Sequence, residues 1–533
     1  MTVPRISGGD ALVRALKAHG TELVFGIPGT HNLGIYRALA DHGVRHVTPR
    51  HEQGAGFAAD GYARVTGRPG VCLTTSGPAV LNAMTAVTQS YSDSVPVLLI
   101  SPGMPLRHPG RGNGTLHEVR HQSAAFEAVI GYSNRVHSVA EIPLAVAQAF
   151  AHMTAGRPRP AHLEIPLDLV DALDKAPDVA PVLVAHPPAD AVTIAAAAGR
   201  LDSATRPGLI IGGGAKWAAE EITTLAERLG APVVTTANGK GTFSEHHRFS
   251  IGAGLHHKAV ADFIADCDVV LAIGTELATT DLWNGPLKFT GDLIRIDVDP
   301  AQMITNASPD YRLVGDAQAT VAALNHRLGK GKSTPDAPTR AERWRKLFHR
   351  HARTQGAPWL PLVEAMREAL SPGAIIAADS AMACYYGTLS NLPLEGPASF
   401  LHPTGLGTLG YGLPAAIGAK LGAPDRQVVA LHGDGGIMFT LPELATAAAE
   451  RLPLPVVITD NGGYGEIRRE MTARNDPVHA VNLPGIDFPR VAKGLNCHGV
   501  TVDDQDRFAT ALRKAFTVDR PTVIHVAGDL AGA

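Results

Sequence analysis

Cysteine is scarce in this chain, and its four cysteines, Cys72, Cys267, Cys384 and Cys497, lie far apart with no CxxC pair. Such spacing indicates neither a zinc site nor a disulfide framework, and it suits a reducing cytoplasm. No uninterrupted apolar run approaches the ~20 residues of a membrane span, and the start, MTVPRISGGDALVRALKAHG, lacks the apolar core of a signal peptide. An excess of one charge is also missing. The net charge is −3, with no basic block and no aromatic-basic stripe, which argues against nucleic acid or an anionic membrane as partner. A soluble cytoplasmic protein acting on a small molecule is expected.

What the chain has is length and α/β alternation. Its 533 residues exceed one ordinary core and suggest about three domains of ~150 to 200 residues. The Pro-rich stretch from Asp178 to Pro188 and the polar stretch of about 326 to 345 look like linkers. They divide the chain into domains over 1–185, 186–335 and 345–533.

The stretch from Val428 to Glu470 organises the rest. Val428 to Leu431 fit a buried parallel strand that Gly433-Asp434-Gly435-Gly436 ends. Thr440 and Glu443 have capping-box spacing before a helical pattern to Leu452. Val456 to Thr459 make a second strand, closed by Asp460-Asn461-Gly462-Gly463. A βαβ unit places Asp434 and Asn461 at carboxyl ends of parallel strands, where open α/β sheets bind ligands. One carboxylate, one amide oxygen and the Gly463 carbonyl suit a small divalent cation, and Mg²⁺ ordinarily completes its shell with phosphate oxygens. A strand-end Asp and Asn capping a turn would account for an isolated GDGG equally well.

In the first domain, a strand over Leu23 to Ile27 leads to the turn Pro28-Gly29-Thr30-His31, and a strand near His46 to Thr48 leads to Glu52. Glu52 lies at a strand-to-helix turn, where a carboxylate is favoured by the helix dipole and needs no further role. Ala55, Ala58, Ala59 and Ala63 then form a small-residue face suited to close packing. Val71 to Thr75 is strand-like, and a helix containing Asn82 follows Ser76-Gly77-Pro78. His117, Glu118 and His121 are expected on one helix in surface or capping roles. In the middle domain, Gly212-Gly213-Gly214 follows a strand, but no well-placed ribose acid completes a dinucleotide motif. The glycines are expected to be structural.

These motifs occur in an order that resembles the thiamine diphosphate (ThDP) enzymes over essentially the whole chain. Gly433-Asp434-Gly435, the 24 residues Gly436 to Thr459, and Asp460-Asn461 are similar to that family's GDG...NN signature. Asp460 departs from it, while Asn461, at the metal-ligand position, is retained. FGIPGTHNLGIY with RHEQGAGFAADGYAR resembles the pyrimidine-binding domain, and LHPTGLGTLGYGLPAAIGA the segment before the metal motif. The resemblance implies three doubly wound parallel-sheet α/β domains: pyrimidine-binding, central and diphosphate-binding. It implies Mg²⁺ on Asp434, Asn461 and Gly463. The cofactor would touch Pro28, Gly29, Glu52, Thr75, Asn82, Ser380, Gly407, Leu409 and Gly433 to Gly436. Glu52 would contact the aminopyrimidine ring, the Gly407 carbonyl would accept from its amino group, and Leu409 would hold the cofactor bent. Nothing in the middle domain demands the FAD that acetolactate synthases hold there.

The implied reaction is decarboxylation of a 2-oxo acid, with His31 and His117 as candidates for protonating the product carbon. HVTPRHEQGAGFAADGYAR, GTE...TDLW and LHPTGLGTLGYGLPAAIGAKLGAP look most like the branch acting on 5-guanidino-2-oxopentanoate. A guanidinium would want a planar acid, for which Asp281, Glu276, Glu118 and Glu466 are candidates. Thr30 and Ile467 complete the expected substrate residues. The alternatives are an acetolactate-synthase-like carboligase, a benzoylformate-type decarboxylase, disfavoured because Thr75 stands where that type has a catalytic His, and a non-catalytic ThDP-binding protein. The resemblance also implies at least a homodimer, with dimers pairing into a tetramer, because the two halves of each site come from different chains.

Overall fold

The computed structural model describes residues 5–329 and 336–532. Three six-stranded sheets, each wholly parallel, follow one another along the chain. In spatial order the first holds Arg45–Val47, Leu23–Gly26, Gly70–Leu73, Val97–Gly103, Ala161–Pro166 and Ser133–Arg135. The second holds Ser250–Ala253, Val233–Thr235, Pro207–Ile211, Val269–Ile273, Asp292–Asp297 and Tyr311–Val314. The third holds Phe400–Leu401, Ile375–Ala378, Val428–Gly433, Pro455–Thr459, Thr522–Val526 and His498–Val502. Non-consecutive neighbours in every sheet require helical crossovers on both faces, so the inner strands are buried almost throughout rather than alternating, while edge strands such as Ser133–Arg135 and Tyr311–Val314 stay partly exposed. Arg5–Ser7 also pairs antiparallel with Leu173–Lys175 and ties the chain's start to the end of the first domain. Among the described residues no helix is long and apolar enough to cross a membrane.

Three local expectations change. Thr440 and Glu443 form no capping box: the Thr440 hydroxyl donates to the Gly410 carbonyl at 2.7 Å, and the Glu443 carboxylate accepts from the Arg50 and His51 amides across domains. Tertiary partners outcompete the local ones. His117, Glu118 and His121 lie in turns ahead of the helix Gln122–Ile130, because Glu118 is bound by the amides of Asn113, Gly114 and Thr115. Of the polar stretch 326 to 345, residues 330–335 lie outside the described residues. From Ala337 it is not a linker but the helix Ala337–Gln355, whose Trp344 and Phe348 are buried.

The alanines Ala55, Ala58, Ala59 and Ala63 face the core of their own domain, and the helix Glu52–Thr66 packs on the helix Gly412–Gly422 of the third domain through Gly61 and the Ala58 backbone instead. A Cβ on Gly61 would lie 2.1 Å from the Ala415 carbonyl oxygen, and one on Gly418 1.9 Å from that of Ala58. The two backbones touch, which only glycine permits. Gly418→Val is therefore expected to destabilise the protein by ~1 to 3 kcal/mol or more through overpacking. Gly199→Ala, in the helix Ala191–Asp202 with nothing within 4 Å of the new methyl, is expected to be neutral or to stabilise by ~0.4 to 1 kcal/mol. Denaturant unfolding of both variants checks this, and a Gly418→Val protein as stable as the parent would contradict the backbone contact.

Candidate active site

The register Gly433↔Thr459 sets two strand ends side by side, so the residues that follow each emerge together. Asp434 opens a short helix, and the Asn461 amide lies 3.4 Å from its Oδ1. The Asn461 Oδ1 atom is buried without a hydrogen-bond partner, and Gly463 takes a φ of 131° that favours glycine. Burial, then the neighbouring Asp460 charge, pushes the Asp434 carboxyl up. An orphaned amide oxygen beside a carboxylate destabilised in its charged form is a donor set that a hard divalent cation satisfies. A Cβ on Gly435 would meet the Tyr464 ring at 2.9 Å, and one on Gly436 the Asp379 carboxylate at 2.7 Å. Both glycines are buried against these neighbours, which leaves no room for a side chain at either position. Asp460 faces elsewhere: one oxygen accepts from the Gly462 amide at 3.0 Å and the other is 2.9 Å from His525 Nε2. Its departure from the usual Asn serves the turn and not the cation.

Asp379, fully buried at the end of Ile375–Ala378 and just before Ser380, orders the loop carrying Gly407 and Leu409. It accepts from the amides of Ser380, Gly410 and Tyr411 at 2.9, 3.0 and 3.1 Å and lies 2.7 Å from His432 Nδ1. Leu409 is half-buried against Gly436, while Gly407 is exposed with φ 68°. The loop's outer side rests on the first domain. Thr408 donates to Gln89 at 3.0 Å, the Gly405 amide to Asp93 at 2.9 Å and the Tyr411 hydroxyl to Asp60 at 2.7 Å. Buried Arg64 joins Asp60 at 2.6 Å and Asp93 at 2.7 Å and also reaches Asn238 of the central domain.

A second cluster lies in the first domain. Asn32 clamps the Pro28–Gly29 turn, accepting from the Gly29 amide at 2.8 Å and donating to the Ile27 carbonyl at 3.1 Å. Gly29 packs on Thr75, whose buried hydroxyl has no partner. Glu52 is the first residue of its helix and accepts from Asn82 at 3.0 Å. His31 Nδ1 lies 2.6 Å from Ser76 Oγ, which is 3.4 Å from His117 Nδ1. Ser76 thus bridges the two histidines, and burial followed by the His117 charge lowers the His31 pKa. Thr30, beside them, is exposed. Among the described residues no hydrogen bond joins this cluster to Asp434, Asn461 or Leu409, so one chain presents two separate halves.

The acidic substrate candidates fall in different places. Glu276 is paired with Arg157 at 2.5 Å, and Glu118 is bound within its own loop. Asp281 accepts from the Ala237 amide at 3.3 Å, and burial pushes it up to about 7. It lines a cavity of about 840 Å³ where all three domains meet, together with Arg64, Thr275 and Phe400. Gly212 to Gly214 border this region because the Gly274 turn presses on them: a Cβ on Gly212 would lie 2.2 Å from the Gly274 oxygen. Glu466, on the helix Gly465–Ala473 that follows the Asn461 loop, accepts from Tyr386 at 3.0 Å, and Ile467 beside it is exposed. Tyr385 and Tyr386 form an aromatic wall with Trp283, at ring distances of 6.0 and 5.8 Å. Sequence reasoning missed that wall, as well as Asp379 and Arg64. The run Tyr385-Tyr386 after the Ser380 turn was the available signal.

Models of the thiamine pyrophosphate enzyme N-terminal TPP binding domain, central domain and C-terminal TPP binding domain match residues 6–125, 194–324 and 381–526. The chain is 41% identical to a probable 2-ketoarginine decarboxylase of Pseudomonas aeruginosa, over 98% of this chain and 94% of that protein. It is 34% identical to an acetolactate synthase large subunit of Parasynechococcus marenigrum, over 98% and 87%. It is 32% identical to a probable acetolactate synthase large subunit of Methanocaldococcus jannaschii, over 99% and 93%.

Four buried histidines have strongly lowered pKa values. Burial lowers His162 and His257 to about 3 and His256 and His402 to about 4. An unfolded histidine titrates near ~6.5. Between these values the unfolded chain binds more protons than the folded one, so stability must fall as pH falls from 6.5 toward 4. Each histidine contributes at most ~1.4 kcal/mol per pH unit. Thermal midpoints measured from pH 7 to 4.5 are expected to decline steadily, and a His402→Gln variant to decline less. A flat profile would contradict neutral burial.

Proposed function

This chain belongs to the thiamine pyrophosphate enzymes, and from that premise we propose that it decarboxylates a 2-oxo acid using thiamine diphosphate and Mg²⁺. The substrate is 5-guanidino-2-oxopentanoate, the 2-oxo acid of arginine, and the products are 4-guanidinobutanal and CO₂. The observation that supports the reaction type is the orphaned Asn461 Oδ1 beside buried Asp434, brought together by the strand register Gly433↔Thr459. The substrate follows from the similarity to the 2-ketoarginine decarboxylase.

Asp434, Asn461 and the Gly463 carbonyl would hold Mg²⁺, which would anchor the diphosphate. The bound cofactor supplies an electron sink for the pair left when CO₂ departs. Glu52 holds a proton at the pyrimidine ring, where Asn82 orients its carboxylate. Leu409, on a loop whose position is set by Asp379, would give the cofactor an apolar support, and the Gly407 carbonyl would accept from its amino group. His31 and His117, coupled through Ser76, hold the proton delivered to the product carbon. Burial, then the His117 charge, lowers the His31 pKa and so makes its imidazolium a stronger acid than that of an ordinary histidine.

The two half-sites meet in a homodimer, Glu52 of one copy facing Asp434 of the other. Exposed apolar side chains rim both: Leu33, Leu81 and Leu116 near the first, and Leu406, Met438, Phe439 and Ile467 near the second. Two such rims on one chain support self-complementary pairing.

With ThDP and Mg²⁺ present, CO₂ and 4-guanidinobutanal are expected from 5-guanidino-2-oxopentanoate, and Asp434→Ala is expected to abolish both turnover and Mg²⁺-dependent ThDP binding. Acetolactate from pyruvate with no guanidino product would establish a carboligase instead. Saturable ThDP binding without turnover of any 2-oxo acid would establish a non-catalytic protein.

A further inference from the structure

The helix Gly465–Ala473 begins against the cation ligands. A Cβ on Gly465 would lie 2.4 Å from Asn461 Nδ2 and 3.1 Å from Met382 Sδ. Tyr386 is one turn beyond Met382, inside the π-helical segment Ala383–Thr388, and such bulges re-aim side chains at functional sites. The Tyr386 hydroxyl donates to Glu466 Oε1 at 3.0 Å. Arg469 pairs with the same oxygen, with its guanidinium carbon 4.8 Å from the Tyr386 ring centroid. The other oxygen, Glu466 Oε2, is buried and has no partner. Here a guanidinium of the chain itself already shows what the pair of Tyr386 and Glu466 accommodates: a planar cation against an aromatic face, bonded to a carboxylate.

We propose that Glu466 is the specificity-determining residue for a cationic 2-oxo acid, its free Oε2 receiving the substrate's guanidinium beside the aromatic wall of Tyr386 and Trp283. This rests on the substrate reading above and assigns its recognition to one carboxylate. The other acidic candidates are engaged elsewhere: Glu276 by Arg157, Glu118 by its loop amides, and Asp281 by the Ala237 amide in the cavity where all three domains meet. A buried carboxylate oxygen without a donor is costly, and a charged donor relieves that cost. Arg469 is a positioning residue. It takes Oε1 and thereby leaves Oε2 for the ligand.

The test compares 5-guanidino-2-oxopentanoate with 5-ureido-2-oxopentanoate, its neutral isostere, on the wild type and on Glu466→Gln, Glu466→Asp and Tyr386→Phe. Wild type is expected to prefer the guanidino acid in kcat/KM. Glu466→Gln is expected to raise KM for that acid about 10- to 100-fold, the range of a lost charge-assisted hydrogen bond, and to leave kcat and the ureido acid nearly unchanged. Glu466→Asp should restore part of the preference. Calorimetric binding of the non-reactive cation 5-guanidinopentanoate gives a readout without turnover and should weaken in parallel in Glu466→Gln. Tyr386→Phe, which keeps the ring and the charge, covers the outcome in which Glu466→Gln does not fold, and should lose a smaller part of the preference. A wild type that prefers the guanidino acid alongside a Glu466→Gln that keeps that preference overturns this inference alone. A wild type without preference overturns the substrate reading and this inference together.

Discussion

One buried guanidinium holds the molecule's parts in place. Arg64 bonds Asp60 and Asp93 of its own domain and reaches Asn238 of the central domain and the His402 carbonyl of the third. Its charge is held firmly, because both carboxylates outweigh the effect of burial. Removing one partner from such a set costs ~3 to 5 kcal/mol, since it leaves a buried charge uncompensated. The same carboxylates also bind Tyr411 and the Gly405 amide, on either side of Gly407 and Leu409. The loop proposed to support the cofactor therefore depends on a cation in another domain. Backbone contact between the helices Glu52–Thr66 and Gly412–Gly422 fixes the same interface from its apolar side.

That arrangement explains why the proposed chemistry does not coincide with the molecule's main cavity. Where domains of one chain meet, they enclose a space lined by Arg64, Thr275 and Asp281. The Glu52 and Asp434 clusters lie apart from that space, each as one wall of the proposed shared site. Orphaned polar atoms mark both walls, Thr75 Oγ1 on one and Asn461 Oδ1 on the other. A closed pocket would have satisfied them or excluded them, because unpaired buried polar groups are expensive.

The elements legible in the sequence were those with local causes. Apolar runs ended by glycine gave the strands from Val428 and Pro455, and their parallel register gave the adjacency of Asp434 and Asn461. The alanine face from Ala55 to Ala63 packs in its own domain's core, and the close contact with the third domain at Gly61 had no signal in that pattern. Long-range pairing hid the rest. Glu443 has the spacing of a helix cap yet binds amides of residues 50 and 51, and Asp379 orders a loop some thirty residues away. Trp283 was obscured by its neighbour Asp281, which turns toward Ala237 while the indole reaches Tyr385 and Tyr386. The Asp460 departure had no sequence-level resolution, because His525, which partners it, lies 65 residues later.

The central claim is that Glu52 and Asp434 serve one site from two copies of the chain. Mixing Glu52→Gln with Asp434→Ala protein, after dissociation and reassembly, tests it most directly. Random pairing places both substitutions in one site of each mixed dimer and leaves the other intact, so about a quarter of wild-type decarboxylation should return. A mixture no more active than the separate variants would contradict the shared site.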